Sequence, residues 1–459
     1  MHRTVVINVV GLTGELLGEH TPRLAAFARE GGGAHPLRTI TPALTTSVQS
    51  TFVTGLPPSG HGIVGNGWYF QELAQVWLWR QSDRLVAGEK VWEAARARDP
   101  AFTCAKMFWW YNMYSRVDYS VTPRPLYPAD GRKIVDIYSY PADLAARLKA
   151  EIGEFPFFNF WGPRADLRSS VWIAEASRIV FDRDAPTLSL VYLPHLDYNL
   201  QRLGPNDPLL AKDLAEIDEV AGKLIDHCRE RGARVIVLSE YGITPVTGSV
   251  SINRVLRQAD LIRVRPELGL EMLDTGASPA FAVADHQIAH VHLRDLERLA
   301  EVKQLLEGVP GIERVLDAEG KREIGLDHPR AGDLVAITAA DRWFDYYYWL
   351  DDAVAPDFAR TVDIHRKPGY DPAELFIDPA IRFPPLKVAW ILLKKKLGFR
   401  YLMDVVPLDP SLVRGSHGRI TDDPAQGPLL ITSEPGLMRD DSVAATDVKA
   451  LILEHVFGG

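Results

Sequence analysis

The 459-residue sequence holds only two cysteines, Cys104 and Cys228. Two thiols make neither a disulfide framework nor a cysteine-rich zinc module. Any bound metal must therefore rely on histidines and carboxylates. Basic charge is in deficit as well: 51 Lys and Arg face 60 Asp and Glu, a formal charge of −9. Nucleic-acid binders normally show the opposite balance, so no nucleic-acid polymer is expected as partner. No apolar run reaches the roughly 20 residues that a membrane span needs. The run from Thr4 to Val10 ends at Gly11, too early for a signal peptide. It reads as a buried first strand, and we expect a cytoplasmic protein with reduced thiols. Internal repeats and low-complexity linkers are absent too.

What is present is an ordinary globular composition, 46% hydrophobic and 24% charged, which sets disorder and fibrous classes aside. Short apolar runs alternate with amphipathic helices. Pro186 to Leu193 and Arg234 to Leu238 read as buried strands. Between them, residues 213–231 place Leu214, Ile217, Val220, Leu224 and Ile225 on one helical face. This pattern predicts an α/β fold, a three-layer α/β/α arrangement with a mostly parallel central sheet. We read 1–459 as a single domain. Residues 280–326 look like a small inserted α+β subdomain, with one strand over 282–293, a helix over 296–306 and a strand over 313–316. An amphipathic helical segment is expected at 380–404. Its centre, Leu386 to Phe399, carries Lys394, Lys395 and Lys396. We expect that helix to pack on the core with its lysines in water; the alternative is contact with an anionic membrane surface.

Ligands of open α/β sheets bind beyond the carboxyl ends of the strands. The first strand is followed by Val10-Gly11, the second by His195-Leu196-Asp197 with Gln201 beyond, and the third by Ser239-Glu240-Tyr241-Gly242. Further motifs are TGLPPSGHGIVGN at 54–66, VWEAARA at 91–97, FWW at 108–110, LLEGVPGIERV at 305–315, HPRAGDLV at 328–335 and GSHG at 415–418.

In this order the motifs resemble the nucleotide pyrophosphatase/phosphodiesterase family of the alkaline phosphatase superfamily, over nearly the whole chain. The resemblance implies a hydrolase of phosphodiester, pyrophosphate or phosphonate bonds acting on a small phosphorylated substrate. In such a site two metal ions clamp the phosphoryl oxygens and a threonine attacks. Carried over by position, the nucleophile falls on Thr45, with Thr46 as its neighbour. Asp197 keeps a metal-ligand position, but its histidine partner becomes Gln201. The family's Asp-His-Gly becomes Glu240-Tyr241-Gly242. The last His-Gly is kept as His417-Gly418, and the first Asp falls on Val10, which cannot ligate. Asn8 is not expected to replace it, because it should point into the sheet.

The resemblance therefore implies metal ligands Asp197, Glu240 and His417, with His365 of Asp363-Ile364-His365 as a rival or added ligand. Asn66, Gln201 and Tyr241 are the expected substrate contacts. An ordinary zinc pair is not expected; one or two divalent ions are, as Zn, Mn or Mg, the harder ions suiting the oxygen donors. The alternative is a catalytically altered member that binds a phosphorylated small molecule or a partner without hydrolysis. Of the 13 histidines, His61 reads as part of a tight turn. His286, His290 and His292 read as one structural strand face, and His195 is left open. Arg366 and Lys367 could hold a phosphate or do nothing specific. The aromatics at 108–111 and 343–349 are expected to be mostly packing.

Overall fold

A computed structural model describes residues 1–458. Its central sheet has nine strands. From one edge they run Val443–Ala444, His35–Arg38, Leu429–Thr432, Arg234–Leu238, Thr4–Val9, Leu188–Leu193, Cys104–Met107, Tyr119–Pro123 and Ile137–Tyr140. The middle is parallel: Thr4 pairs with Leu188 on one side and Arg234 on the other. Antiparallel pairs occur toward the edges, where Leu429–Thr432 meets Arg234–Leu238 and Ile137–Tyr140 meets Tyr119–Pro123.

The first strand shows why the sheet needs cover on both faces. All six of its residues are buried. Val5, Ile7 and Val9 belong to one hydrophobic cluster and Val6 to another, as the two-residue period of a strand requires. The first cluster takes in Leu24 and Phe27, Trp172 and Ile173, and Leu214, Ile217 and Leu224. These come from the helices Pro22–Glu30, Leu167–Arg183 and Leu210–Arg229. The opposite cluster takes in Val48 and Phe52, Trp92, and Leu451 and Ile452, from Thr45–Thr54, Val91–Arg98 and Val448–Phe457. The three-layer expectation holds. Each large apolar side chain so buried contributes about 1.5–3 kcal/mol relative to exposure.

A second, four-stranded antiparallel sheet runs Ala280–Asp285, Ile288–Leu293, Leu334–Thr338, Ile312–Leu316. Its third strand lies beyond residue 326. The single strand expected over 282–293 is in fact two, joined by a tight turn at His286-Gln287 in which His286 takes φ +57°. No glycine or asparagine marked that turn, so the alternating pattern ran straight through it. As a consequence His286 leaves the strand face and its ring meets those of His417 and Tyr370.

The helix Pro384–Lys396 corrects another expectation. It does not pack on the core: Ile391 is its only buried residue. No helix among the described residues is long and apolar enough to cross a membrane.

Candidate active site

Parallel strands with aligned ends deliver their next residues side by side. Asn8 is level with Tyr192 and Leu238, so the segments after Leu193 and Leu238 open beside the first strand. Asp197 sits in the first turn of His195–Leu203, and Glu240 and Tyr241 follow the third strand. Across from them, Thr45 begins a helix whose ten residues are all buried. The positive end of that helix dipole favours developing negative charge on the Thr45 hydroxyl. Thr46 is tied elsewhere, its hydroxyl donating to the Gly65 carbonyl at 2.8 Å.

Thr45 Oγ1 lies 3.1 Å from the Tyr241 hydroxyl, and that hydroxyl donates to Asp197 Oδ1 at 3.2 Å. The other Asp197 oxygen accepts from Gln201 Nε2 at 2.8 Å. Gln201 Oε1 in turn accepts from Tyr370 at 2.9 Å. Glu240 is fully buried. Its Oε1 accepts from Gln49 at 2.5 Å and also from Asn8. Burial pushes the Asp197 carboxyl up to about 7, against the hydrogen bonds from Tyr241 and Gln201. Burial likewise pushes Glu240 up to about 8, against hydrogen bonds from Gln49 and Asn8. Among the described residues no lysine or arginine pairs with either acid.

Four rings stack beside this network. Tyr241 lies on His417 with centroids 3.5 Å apart and planes 5° from parallel. His417 meets His286 at 3.8 Å, and His286 meets Tyr370 at 3.7 Å. His417 Nδ1 donates to the Ala43 carbonyl at 2.9 Å, which leaves Nε2 with its lone pair. Burial holds this imidazole neutral, well below its ordinary titration range. The GSHG motif is needed for close approach: a Cβ on Gly415 would sit 2.1 Å from the Leu200 carbonyl oxygen.

The structure thus brings together Thr45, Asp197, Gln201, Glu240, Tyr241 and His417. Asn66 borders them, but its amide is engaged, accepting from Thr46 N at 3.2 Å and donating to Asp285 at 3.2 Å. That leaves little of it for a phosphoryl oxygen. His365 does not join the group; it bonds the Leu78 carbonyl at 3.4 Å, with Arg80, Lys133 and Asp363 as charged neighbours. Lys367 is buried between Asp371 at 2.6 Å and Glu374 at 2.7 Å, and Arg366 pairs with Asp357, so neither is a free phosphate ligand. His61 is structural, bonded to Thr51 and to the Ile63 amide. His195 turns to Asp213 at 3.3 Å and Glu216 at 3.4 Å. Among the described residues this is the only trio of histidine, cysteine or carboxylate groups close enough to share an ion.

Two expectations are corrected: Asn8 does not point away into the sheet but bonds Glu240, and His286 is not on the strand face but stacks with His417 and Tyr370; Gln49 and Tyr370 were given no role. Asn8 was legible as a lone polar residue in an apolar strand, and Gln49 lies one helical turn beyond Thr45. Asn8 does face the site, because its register puts it on the face of Val6, toward the helix that begins at Thr45.

The residues do not fit a two-ion centre. Both Asp197 oxygens and Gln201 are engaged in hydrogen bonds, and the rings at 241 and 417 are packed face to face. The donors beside Thr45 differ. Glu240 Oε2 and Asn8 Oδ1 are buried without a partner, and two such oxygens with a threonine hydroxyl match one hard ion.

A sequence model of the type I phosphodiesterase / nucleotide pyrophosphatase family matches residues 4–371. Among curated proteins, an uncharacterized pyrophosphatase/phosphodiesterase of Schizosaccharomyces pombe is 26% identical over 254 residues. That match covers 53% of this chain and 45% of the yeast protein, so this chain spans just under half of that relative's length. Among solved structures, phosphonoacetate hydrolase of Sinorhizobium meliloti with bound phosphonoformate aligns at a TM-score of 0.63 and 14% identity. The alignment covers 99% of this chain and 96% of that one. An inactive murine ectonucleotide pyrophosphatase/phosphodiesterase 5 with bound AMP aligns at 0.58 and 14%, covering 99% and 95%. At these identities the structures speak for the fold.

Proposed function

The chain belongs to the type I phosphodiesterase / nucleotide pyrophosphatase family, and on that basis we propose that it hydrolyses a phosphodiester, pyrophosphate or phosphonate bond of a small phosphorylated substrate, with Thr45 as nucleophile. The observation that carries this reading is the chain of hydrogen bonds from Thr45 through Tyr241 to Asp197. Thr45 Oγ attacks phosphorus as its proton passes to the Tyr241 oxygen, and Tyr241 gives its own proton to ionised Asp197. The bond from phosphorus to the leaving group breaks, and that group takes a proton from water. The hydroxide left by that water then attacks phosphorus, and as the threonyl ester breaks Asp197 returns its proton through Tyr241 to Thr45. An Asp197 carboxyl raised to about 7 is matched to accepting a proton near neutrality.

Asn8, Glu240 and Thr45 would hold one divalent ion, Mg or Mn by their oxygen chemistry. When bound it neutralises phosphoryl charge and favours the ionised hydroxyl. A cytoplasmic setting belongs to the same reading, with Cys104 and Cys228 both free and buried.

A second reading, a member that binds a phosphorylated ligand without hydrolysis, draws on two observations. No lysine or arginine among the described residues reaches the two acids, and Tyr241 fills the space between Thr45 and Asp197. Turnover separates the two. Chelator-treated protein is reloaded with Mg, Mn, Zn or Co and assayed on an aryl phosphodiester, a dinucleoside polyphosphate and a phosphonate. Hydrolysis that falls on the order of 10³-fold or more in Thr45→Ala supports the proposal. No turnover with any ion, or full activity in Thr45→Ala, overturns it.

A further inference from the structure

The helix Pro384–Lys396 and the turn after it expose apolar side chains that a globular surface normally hides. Leu386 is 68% exposed, Trp390 58%, Leu397 62% and Phe399 65%. Leu386, Trp390, Leu393 and Leu397 recur at steps of four, three and four, which places them on one helical face. An exposed apolar stripe of this kind marks a contact surface.

Charge identifies what it contacts. Between Asp378 and Asp404 there is no acidic residue, yet Arg382, Lys387, Lys394, Lys395, Lys396 and Arg400 all fall there, in a chain of net charge −9. Lys387 pairs with Asp404 and Arg400 with Asp357. Lys394, Lys395 and Lys396 meet no carboxylate among the described residues. Lys394 lies over the Trp390 ring and Lys395 over Tyr401. A second copy of the same face would bring like charges together. An apolar stripe flanked by unpaired lysines, with Trp and Tyr at its margin, has the composition of a helix lying in a lipid headgroup layer. At 13 residues the helix is about 20 Å long, short of the roughly 30 Å hydrocarbon core, so it can lie along a bilayer but not cross it.

We propose that Pro384–Lys396 with Phe399 docks the protein on an anionic phospholipid surface, apolar stripe inserted and Lys394–Lys396 against the headgroups. The inference is independent of the reaction at Thr45.

The test is co-sedimentation of the full chain with vesicles of phosphatidylcholine alone or mixed with phosphatidylglycerol, at low and high salt. Binding is expected to be at least about tenfold tighter to the anionic vesicles and to weaken with salt. Reversing Lys394, Lys395 and Lys396 to Glu should weaken it about tenfold or more, as should Leu386→Ser with Trp390→Ser and Leu397→Ser. All of these side chains except the half-buried Lys394 are exposed, and unchanged thermal melting certifies the fold of each variant. No sedimentation with anionic vesicles, or sedimentation indifferent to both sets of variants, overturns the proposal. So does a dimer in sedimentation equilibrium that Trp390→Ser abolishes while vesicles are ignored, which would assign the face to a protein partner.

Discussion

Tyr241 lies flat on His417, their ring centroids 3.5 Å apart. The family resemblance places imidazoles at both positions, each on its own ion. Here one has become a phenol and the pair has become a stack. Rebuilding the missing donors should reverse this. The combination Val10→Asp, Gln201→His, Glu240→Asp and Tyr241→His is expected to raise bound zinc from at most one ion per chain to two. Elemental analysis after exhaustive dialysis reads the stoichiometry, and an unchanged value would show that more than four donors separate this site from a two-ion centre.

Tyr241→Phe keeps the ring on His417 and removes the hydroxyl between Thr45 and Asp197. The proton path is cut while packing survives. The expected result is a fall in kcat of roughly 10²-fold with little change in KM. The stability change should stay near 1 kcal/mol. Steady-state kinetics and urea unfolding check the two halves, and an unaltered kcat would remove Tyr241 from the path.

Asn8 donates to Glu240 and carries an unpartnered oxygen of its own. Asn8→Asp sets a second buried carboxyl against the first. In chelator it should destabilise the fold by about 1–3 kcal/mol. Added Mg or Mn should restore that loss and stabilise the variant more than the native chain, since an ion bound only to the folded state raises stability. Urea melts with and without metal decide it; a variant blind to both ions would rule out an ion beside Thr45.

His292 is buried against Phe281 and Tyr69, both ring nitrogens without partners. Burial lowers its titration to about 3, from about 6.5 in an unfolded chain. Below pH 6.5 the unfolded state therefore binds the extra proton, and stability falls as pH falls. His292→Phe removes that term. Between pH 6 and 4.5 the variant should lose stability less steeply, by about 1.4 kcal/mol per pH unit. Equal slopes in denaturant unfolding would contradict this.

Much of the fold was legible because buried strands announce themselves. Leu188–Leu193 and Arg234–Leu238 lie where their apolar runs put them, and the residues after them come together in the candidate site. Thr45, Asp197, Gln201, Glu240, Tyr241 and His417 could be placed by motif. His286 could not, because its turn is set by backbone φ without glycine or asparagine to mark it. His365 was expected as a rival or added ligand, but the chain carries its ring to Leu78. The helix Pro384–Lys396 has the pattern of a core helix, and pattern alone does not say whether a core is there to receive it.

The central claim is that Thr45 becomes covalently attached to phosphorus. Rapid acid quench of the protein with an excess of aryl phosphodiester, followed by peptide mass spectrometry, tests it directly. The expected result is a phosphoryl adduct on Thr45 that forms before steady-state turnover and is absent from Thr45→Ala. Turnover with no adduct at Thr45 at any quench time, or with the adduct on another residue, would contradict it.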